Sequence, residues 1–331
     1  MLYNFPSPAQ PQAGLAVGED GVLYGTTLLG GSSNFGTVFS LTPPSSPAGE
    51  WTETVLYSFS FAGGPYDPSI NPSGIAIGKG GVLYGTTLRG GTNDSAGMAF
   101  SLAPPSSPGG EWTETVLYNF SFNHLGGGPS GVAIGKDGVL YGTAGGGHFP
   151  DGMAFALIPS ATPGGEWTER AIHDFGGNGD GVDPFGGVAI GDGGVLYGTT
   201  QSGGTFSDGT VFSLTPPAAS GDPWTEAVIY SFTGTGGDGY GPTAPVVIGP
   251  GGVLYGTTPG GGTGNNGTVF SLTPPASPGS PWTETVLYGF AGGANGGDPV
   301  GSLTIGPGVL FGVTYNGGTA ASLGTIFLLG P

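Results

Sequence analysis

Apolar residues along this chain come in short runs closed off by Gly, Pro, Asn and Asp, and no stretch keeps the spacing of an amphipathic helix. Residues 74 to 120 show the arrangement: "GIAIG" (74 to 78), "VLYGTT" (82 to 87), "GMAFSLAPP" (97 to 105) and "WTETVLYNF" (112 to 120). Each run is rich in Val, Ile, Tyr, Phe, Trp or Thr, residues that suit a pleated surface, and turn residues flank it, so each is predicted to be a strand.

The four-run unit recurs. Its central phrase places an aromatic at Tyr24, Tyr84, Tyr141, Tyr197, Tyr255 and Phe311, at intervals of 56 to 60 residues. Four short strands per repeat of that length predict an all-β fold, a six-bladed β-propeller with four antiparallel strands per blade. The outer-strand phrase begins at Trp51, Trp112, Trp167, Trp224 and Trp282, once fewer than the central phrase, and "MLYNF" at the start of the chain matches the end of "TVLYNF". The reading is therefore one domain over residues 1–331, with units of roughly 6–59, 60–120, 121–175, 176–232, 233–290 and 291–331, the last completed by residues 1–5. Leu2 to Phe5 are expected to pair with the strand around Thr325 to Leu329, closing the ring and protecting a sheet edge.

Composition fits this picture. The chain has 75 Gly and 31 Pro, a content that would suggest disorder without a period, but here 37% of residues are hydrophobic and the breakers fall between the runs. "KGGVLYG" and "EDGVLYG" read as tight hairpins between first and second strands, with Gly supplying positive φ. The small residues of "GTT" suit a strand in the narrow part of a blade. A phosphate cradle would need a helix N-terminus or a lysine, and these loops precede strands.

Charge excludes several partners. Against 22 acidic residues there are four basic ones, Lys79, Arg89, Lys136 and Arg170, too few to neutralise a nucleic-acid backbone or engage an anionic membrane. No run is long enough for a membrane span, and the start carries no charged or apolar signal segment. The chain reads as a piece excised from a precursor that carried signal and anchor. The absence of Cys removes disulfides, thiolate catalysis and zinc-thiolate sites.

"LYGTTLLGGSSNFGTVFSL" (23 to 41) and "LYGTTPGGGTGNNGTVFSL" (254 to 272) resemble the GloVer tandem repeats of bacterial surface or secreted proteins with varied anchoring signals. The resemblance runs over essentially the whole chain. It implies an extracellular or cell-surface propeller-like module, and it carries over no catalytic residues. Kelch repeats also pair glycines with a later Tyr and Trp, but the "LYGTT" and "WTETVLY" phrases fit them poorly.

Function is expected in the variable loops that lead into each first strand and that join second to third strands, which share one face of a propeller. Asp67, Asp180, Asp183, Asp238 and Asp298 collect there. Converging carboxylates with few basic partners would favour calcium, whereas Asp-Pro and Asp-Gly also simply make turns. His124, His148 and Asp151 could share one corner as transition-metal ligands, or fall there by chance. His173, in the place of a repeated Tyr, reads as a packed or edge residue. Tyr66, Phe149, Phe185, Phe206, Tyr240 and Tyr315 lie in the same loops, outside the repeated strand positions, where rings stack on sugars or anchor proteins.

Two classes of function remain. One is a noncatalytic, monomeric surface module that binds a glycan or a surface protein, or acts as a spacer. The other is a polysaccharide hydrolase or lyase using channel-face carboxylates, which needs a proton donor and a second carboxylate or metal in one cleft. The near identity of the blades favours the first.

Overall fold

In the computed structural model of the protein, residues 13–330 are described apart from 47–48, 61–70, 93–94, 108, 123–126, 146–150, 163, 177–178, 220, 278, 307 and 318–324. The fold is the expected all-β, six-bladed propeller with four antiparallel strands per blade. The only helical segments among the described residues are short 3-10 turns. Leu2 to Phe5, expected to complete the last blade, lie outside the described residues, and the sixth sheet there has three strands, Thr304–Gly306, Val309–Thr314 and Thr325–Leu329.

The chain divides into two compact units, residues 1–150 with 155–171, and residues 151–154 with 172–331. In the first, Ala16–Val17, Leu23–Thr27, Thr37–Thr42 and Thr52–Ser58 form one sheet in chain order, and Pro72–Ile77, Leu83–Thr87, Met98–Ala103 and Thr113–Asn119 form the next. In the second, Val188–Ile190, Leu196–Thr200, Thr210–Thr215 and Thr225–Ser231 are followed by Val247–Ile248, Leu254–Thr258, Thr268–Thr273 and Thr283–Gly289.

The phrase "LYGTT" has a separate task for each of its last three residues. Its glycine lies opposite a third-strand phenylalanine, as in Gly198↔Phe212 and Gly256↔Phe270. A Cβ at either glycine would stand 2.4 Å from the ring's Cζ, so the ring occupies the space a side chain would take. That close approach, rather than crowding between neighbouring blades, is why the position is glycine. The first threonine reaches the next blade: Thr26 Oγ1 donates to the Ser73 carbonyl at 2.9 Å, and Thr199 Oγ1 to that of Ala244 at 2.9 Å. The second binds its own blade, with Thr27 against Thr37 and Thr200 against Thr210 at 2.8 Å. Burying these hydroxyls is affordable because each is hydrogen-bonded. The hairpins before them match expectation, with Gly80 at φ 68° and Gly81 at φ 74°, and Asp20 at φ 54° taking the first position in the first blade.

Successive blades are joined by buried aromatics. The phenylalanine after each fourth strand meets the next blade's third-strand phenylalanine edge-on, Phe59 with Phe100 at 5.3 Å and Phe232 with Phe270 at 5.1 Å between centroids. Outside this apolar seam lies a polar one. The outer-strand glutamate of one blade sits under the outer-strand aromatic of the blade before, and Tyr118 Oη donates to Glu169 Oε2 at 2.9 Å. The other oxygen of Glu169 is buried with no partner, as are those of Glu226 and Glu284.

Candidate functional site

The second unit assembles a cluster of loop side chains around Asp238 and Tyr240. The loop leading into the fifth blade is knotted by Asp238. Its Oδ2 accepts from Tyr230 Oη at 3.0 Å, Thr233 N at 2.8 Å and Thr233 Oγ1 at 2.9 Å, and its Oδ1 accepts from Gly239 N at 2.6 Å. The knot presents Gly239–Tyr240 to Gly260–Gly261, with which they pair as a small antiparallel ladder. Gly241 N then donates to the Asp208 carbonyl at 2.8 Å, tying the loop to the second-to-third-strand loop of the fourth blade.

This arrangement fixes the Tyr240 ring. A Cβ on Gly260 would stand 2.2 to 2.7 Å from three ring carbons of Tyr240, so one face of the ring lies directly on the Gly260 backbone. The residue is still 37% exposed. Beside it is a depression of about 360 Å³ lined by Gln201, Ser202, Ser207, Asp208, Tyr240, Gly241 and Pro259. Gln201 is held by its N–H on the Asp183 carbonyl at 2.9 Å, and Phe206, 55% exposed, projects from the loop that supplies Ser207 and Asp208. Of the aromatics singled out in the sequence, Tyr240 is at the site, Phe206 is on a contributing loop, and Phe185 and Tyr315 are exposed elsewhere in the unit. Tyr66 and Phe149 lie outside the described residues. Gln201, Ser202, Ser207 and Asp208 were not singled out; the available signal was that "QSGGTFSDG" carries an amide and a carboxylate where other blades have "LLGGSSNFG" or "PGGGTGNNG".

The aspartates have local duties. Asp180 repeats the role of Asp238, its Oδ1 accepting from Gly181 N at 2.6 Å while Oδ2 meets His173 Nε2 at 3.0 Å. His173 also packs edge-on against Phe175 at 4.7 Å, as the tyrosines of other blades do. Asp183 and Asp298 have φ of 59° and 51°, at a pre-proline position that Asn71, Gly128 and Gly241 fill elsewhere with φ of 47°, 68° and 66°. Only Gly, Asn and Asp adopt that left-handed conformation readily. Asp298 Oδ2 accepts from Asn316 Nδ2. Burial, and then the charge of Asp151, raise the Asp183 carboxyl above the usual range. Among the described residues no three His, Asp or Glu side chains are grouped so as to hold a metal ion. Asp67, His124 and His148 lie outside them.

Both halves of the chain, residues 1–163 and 160–331, match the Gloeobacter/Verrucomicrobia repeat. The chain belongs to that family. No curated protein sequence matches the chain. Among solved structures, a gluconolactonase from Xanthomonas campestris superposes with a TM-score of 0.54 at 13% identity, over 98% of this chain and 85% of that one. A Trypanosoma rangeli sialidase gives 0.50 at 14% identity, over 97% of this chain and 55% of the sialidase, so the repeat protein spans about half of that enzyme. At such identities the likeness is one of fold. Among the described residues of this repeat protein, no helix is long and apolar enough to cross a membrane.

Proposed function

We propose that this repeat domain is a noncatalytic glycan-binding module of the cell surface or extracellular space, and that Tyr240 is its principal contact. The observation that carries the reading is the Tyr240 ring, seated on Gly260 and open beside a depression edged by an amide, two hydroxyls and a carboxylate. The C–H face of a pyranose packs on such a ring, while its hydroxyls exchange hydrogen bonds with Gln201, Ser202, Ser207 and Asp208. The ring is already fixed by Gly260 and the Asp238 knot, so little conformational entropy is lost on binding.

The hydrolase reading has one observation in its favour, the raised Asp183 carboxyl beside Asp151. Asp183 also occupies a turn position that glycine fills in the Tyr240 loop, which gives its residue type a cause unrelated to proton transfer. A glycan array with the purified domain, run beside an assay for release of reducing ends, tests both readings. Binding that falls at least tenfold in Tyr240→Ala, with no release of reducing ends, is expected. Absence of glycan binding, or binding indifferent to Tyr240→Ala, would overturn the proposal, and turnover lost in Asp183→Asn would favour the hydrolase.

A further inference from the structure

The Tyr240 depression lies between two members of one series of repeat positions. Gln201 and Pro259 each follow directly on a second strand, Leu196–Thr200 and Leu254–Thr258, and both line it. The next member of the series, after Val309–Thr314, is Tyr315, which is 63% exposed. The loop after Thr258 therefore serves two places. At its start Gly260 carries the Tyr240 ring. At its end Asn266 accepts through its carbonyl from Asp298 N at 2.9 Å, as the Asp208 carbonyl does from Gly241 N one blade earlier. Tyr315 N in turn donates to the Asp298 carbonyl at 2.8 Å.

Moving the Tyr240 depression one blade along the repeat thus gives a second place flanked by Pro259 and Tyr315, with Asn265 and Asn266 where Ser207 and Asp208 stood. The position of Tyr240 is there Gly297, paired with Asn316. The aromatic ring has passed from the lead-in loop to the Tyr315 position, and the carboxylate at the Asp208 position has become an amide. Each place offers one exposed ring and short polar side chains. At the second, Asn265 Oδ1 already accepts from Gly261 N at 3.3 Å and Asn266 Nδ2 donates to the Gly264 carbonyl at 2.6 Å, which leaves Asn265 Nδ2 to donate and Asn266 Oδ1 to accept, with the Asp298 carboxylate at the position of Gly241.

Charge narrows what can lie across both. All four Lys and Arg residues, at 79, 89, 136 and 170, belong to the first unit, so the second carries no ammonium or guanidinium group at all. Its histidine, His173, is engaged by Asp180. A chain bearing carboxylates or sulfates would find no cation there to offset its desolvation, and would meet the field of a protein with net charge −18. We infer that the ligand is an extended, uncharged polysaccharide chain held at two neighbouring subsites, one at Tyr240 and a second at Tyr315 with Asn265 and Asn266. This rests on the glycan-binding reading above and specifies the ligand class and length.

The test is calorimetric titration with neutral ladders of one to six units, namely cello-, xylo-, manno- and β-1,3-gluco-oligosaccharides, beside an oligogalacturonate ladder. Affinity for the neutral ladder that binds is expected to rise about tenfold between short and long oligomers. Tyr315→Ala should abolish that rise while leaving the shortest bound oligomer unchanged, Tyr240→Ala should weaken every length, and the acidic ladder should not bind. Affinity flat with length, Tyr315→Ala without effect or weakening all lengths alike, or acidic oligomers binding as tightly as neutral ones would overturn the two-subsite, uncharged-chain inference while leaving glycan binding standing. If no neutral oligomer binds at any length, or Tyr240→Ala leaves the shortest bound oligomer unaffected, the glycan-binding reading itself fails and this inference with it.

Discussion

Replacing Glu169 by Gln should stabilise the protein at pH 8 and leave it nearly unchanged at pH 4. Burial pushes the Glu169 carboxyl up to about 7 from its ordinary 4.5, with the Tyr118 hydrogen bond pulling in the other direction. A folded-state value above the unfolded one means that the native protein binds the extra proton between those limits. Stability is therefore fully present below about pH 4.5 and lost as pH rises through about 7, where the buried carboxylate must ionise. At about 1.4 kcal/mol per tenfold change in proton affinity, the loss approaches about 3 kcal/mol for Glu169. Gln keeps an oxygen to accept from Tyr118 Oη and cannot ionise. Its amide also replaces an oxygen that already lacks a partner, so little is given up at low pH. Thermal melts of both proteins from pH 4 to 8.5 should diverge between about pH 4.5 and 7 and then run parallel, with Glu169→Gln higher at pH 8 by about 5 °C. Glu284, raised to about 7 by burial first and Asp238 second, is nearer to solvent, and screening leaves about 1 kcal/mol there for Glu284→Gln. Parallel melting curves for wild type and Glu169→Gln across the whole range would refute the argument.

Gly198→Ala puts a methyl 2.4 Å from Phe212 Cζ and 2.9 Å from the Gly187 carbonyl, and should cost about 1–3 kcal/mol, read as a lower melting temperature with unchanged far-ultraviolet circular dichroism. A wild-type melting temperature would mean that the ring does not occupy the space assigned to it. Asp238→Ala removes the acceptor for Tyr230, Thr233 and Gly239, and should weaken glycan binding through release of the Tyr240 loop, with a stability loss of about 1–3 kcal/mol. Unaltered affinity in Asp238→Ala would disconnect the knot from the site.

The architecture was legible because each blade restates it: a strand missed in one repeat is corrected by five others. The buried glutamates were not. In "WTETVLY" the Glu alternates with exposed Thr, and a lone outer strand with that pattern reads as solvent-facing on either side. What buries Glu169 is Tyr118, 51 residues earlier and one blade back, and no local signal announces that neighbour. The site was legible only as variable loops. Tyr240 stood out because it breaks the repeat, but Asp208 is tied to its loop by a backbone hydrogen bond between blades and Gln201 meets it only across the depression, links that leave no trace in side-chain identity.

Asp183 and Asp298 show how a repeat protein can give an acidic residue a conformational cause. An acidic residue beside proline in a Gly-rich loop satisfies two demands at once, charge and a left-handed backbone, and sequence cannot separate them. The structure can, because the same backbone position is visible in several blades. Where it has φ of 47° to 68° with Asn, Gly or Asp, the shared requirement is conformational. At Tyr240 the comparison runs the other way. Its counterpart beside Asn316 is Gly297, and its counterpart beside Ser202 is Val182, so the backbone ladder tolerates any of the three. The aromatic ring is then not demanded by the scaffold, and the position is free to serve the glycan contact proposed for it.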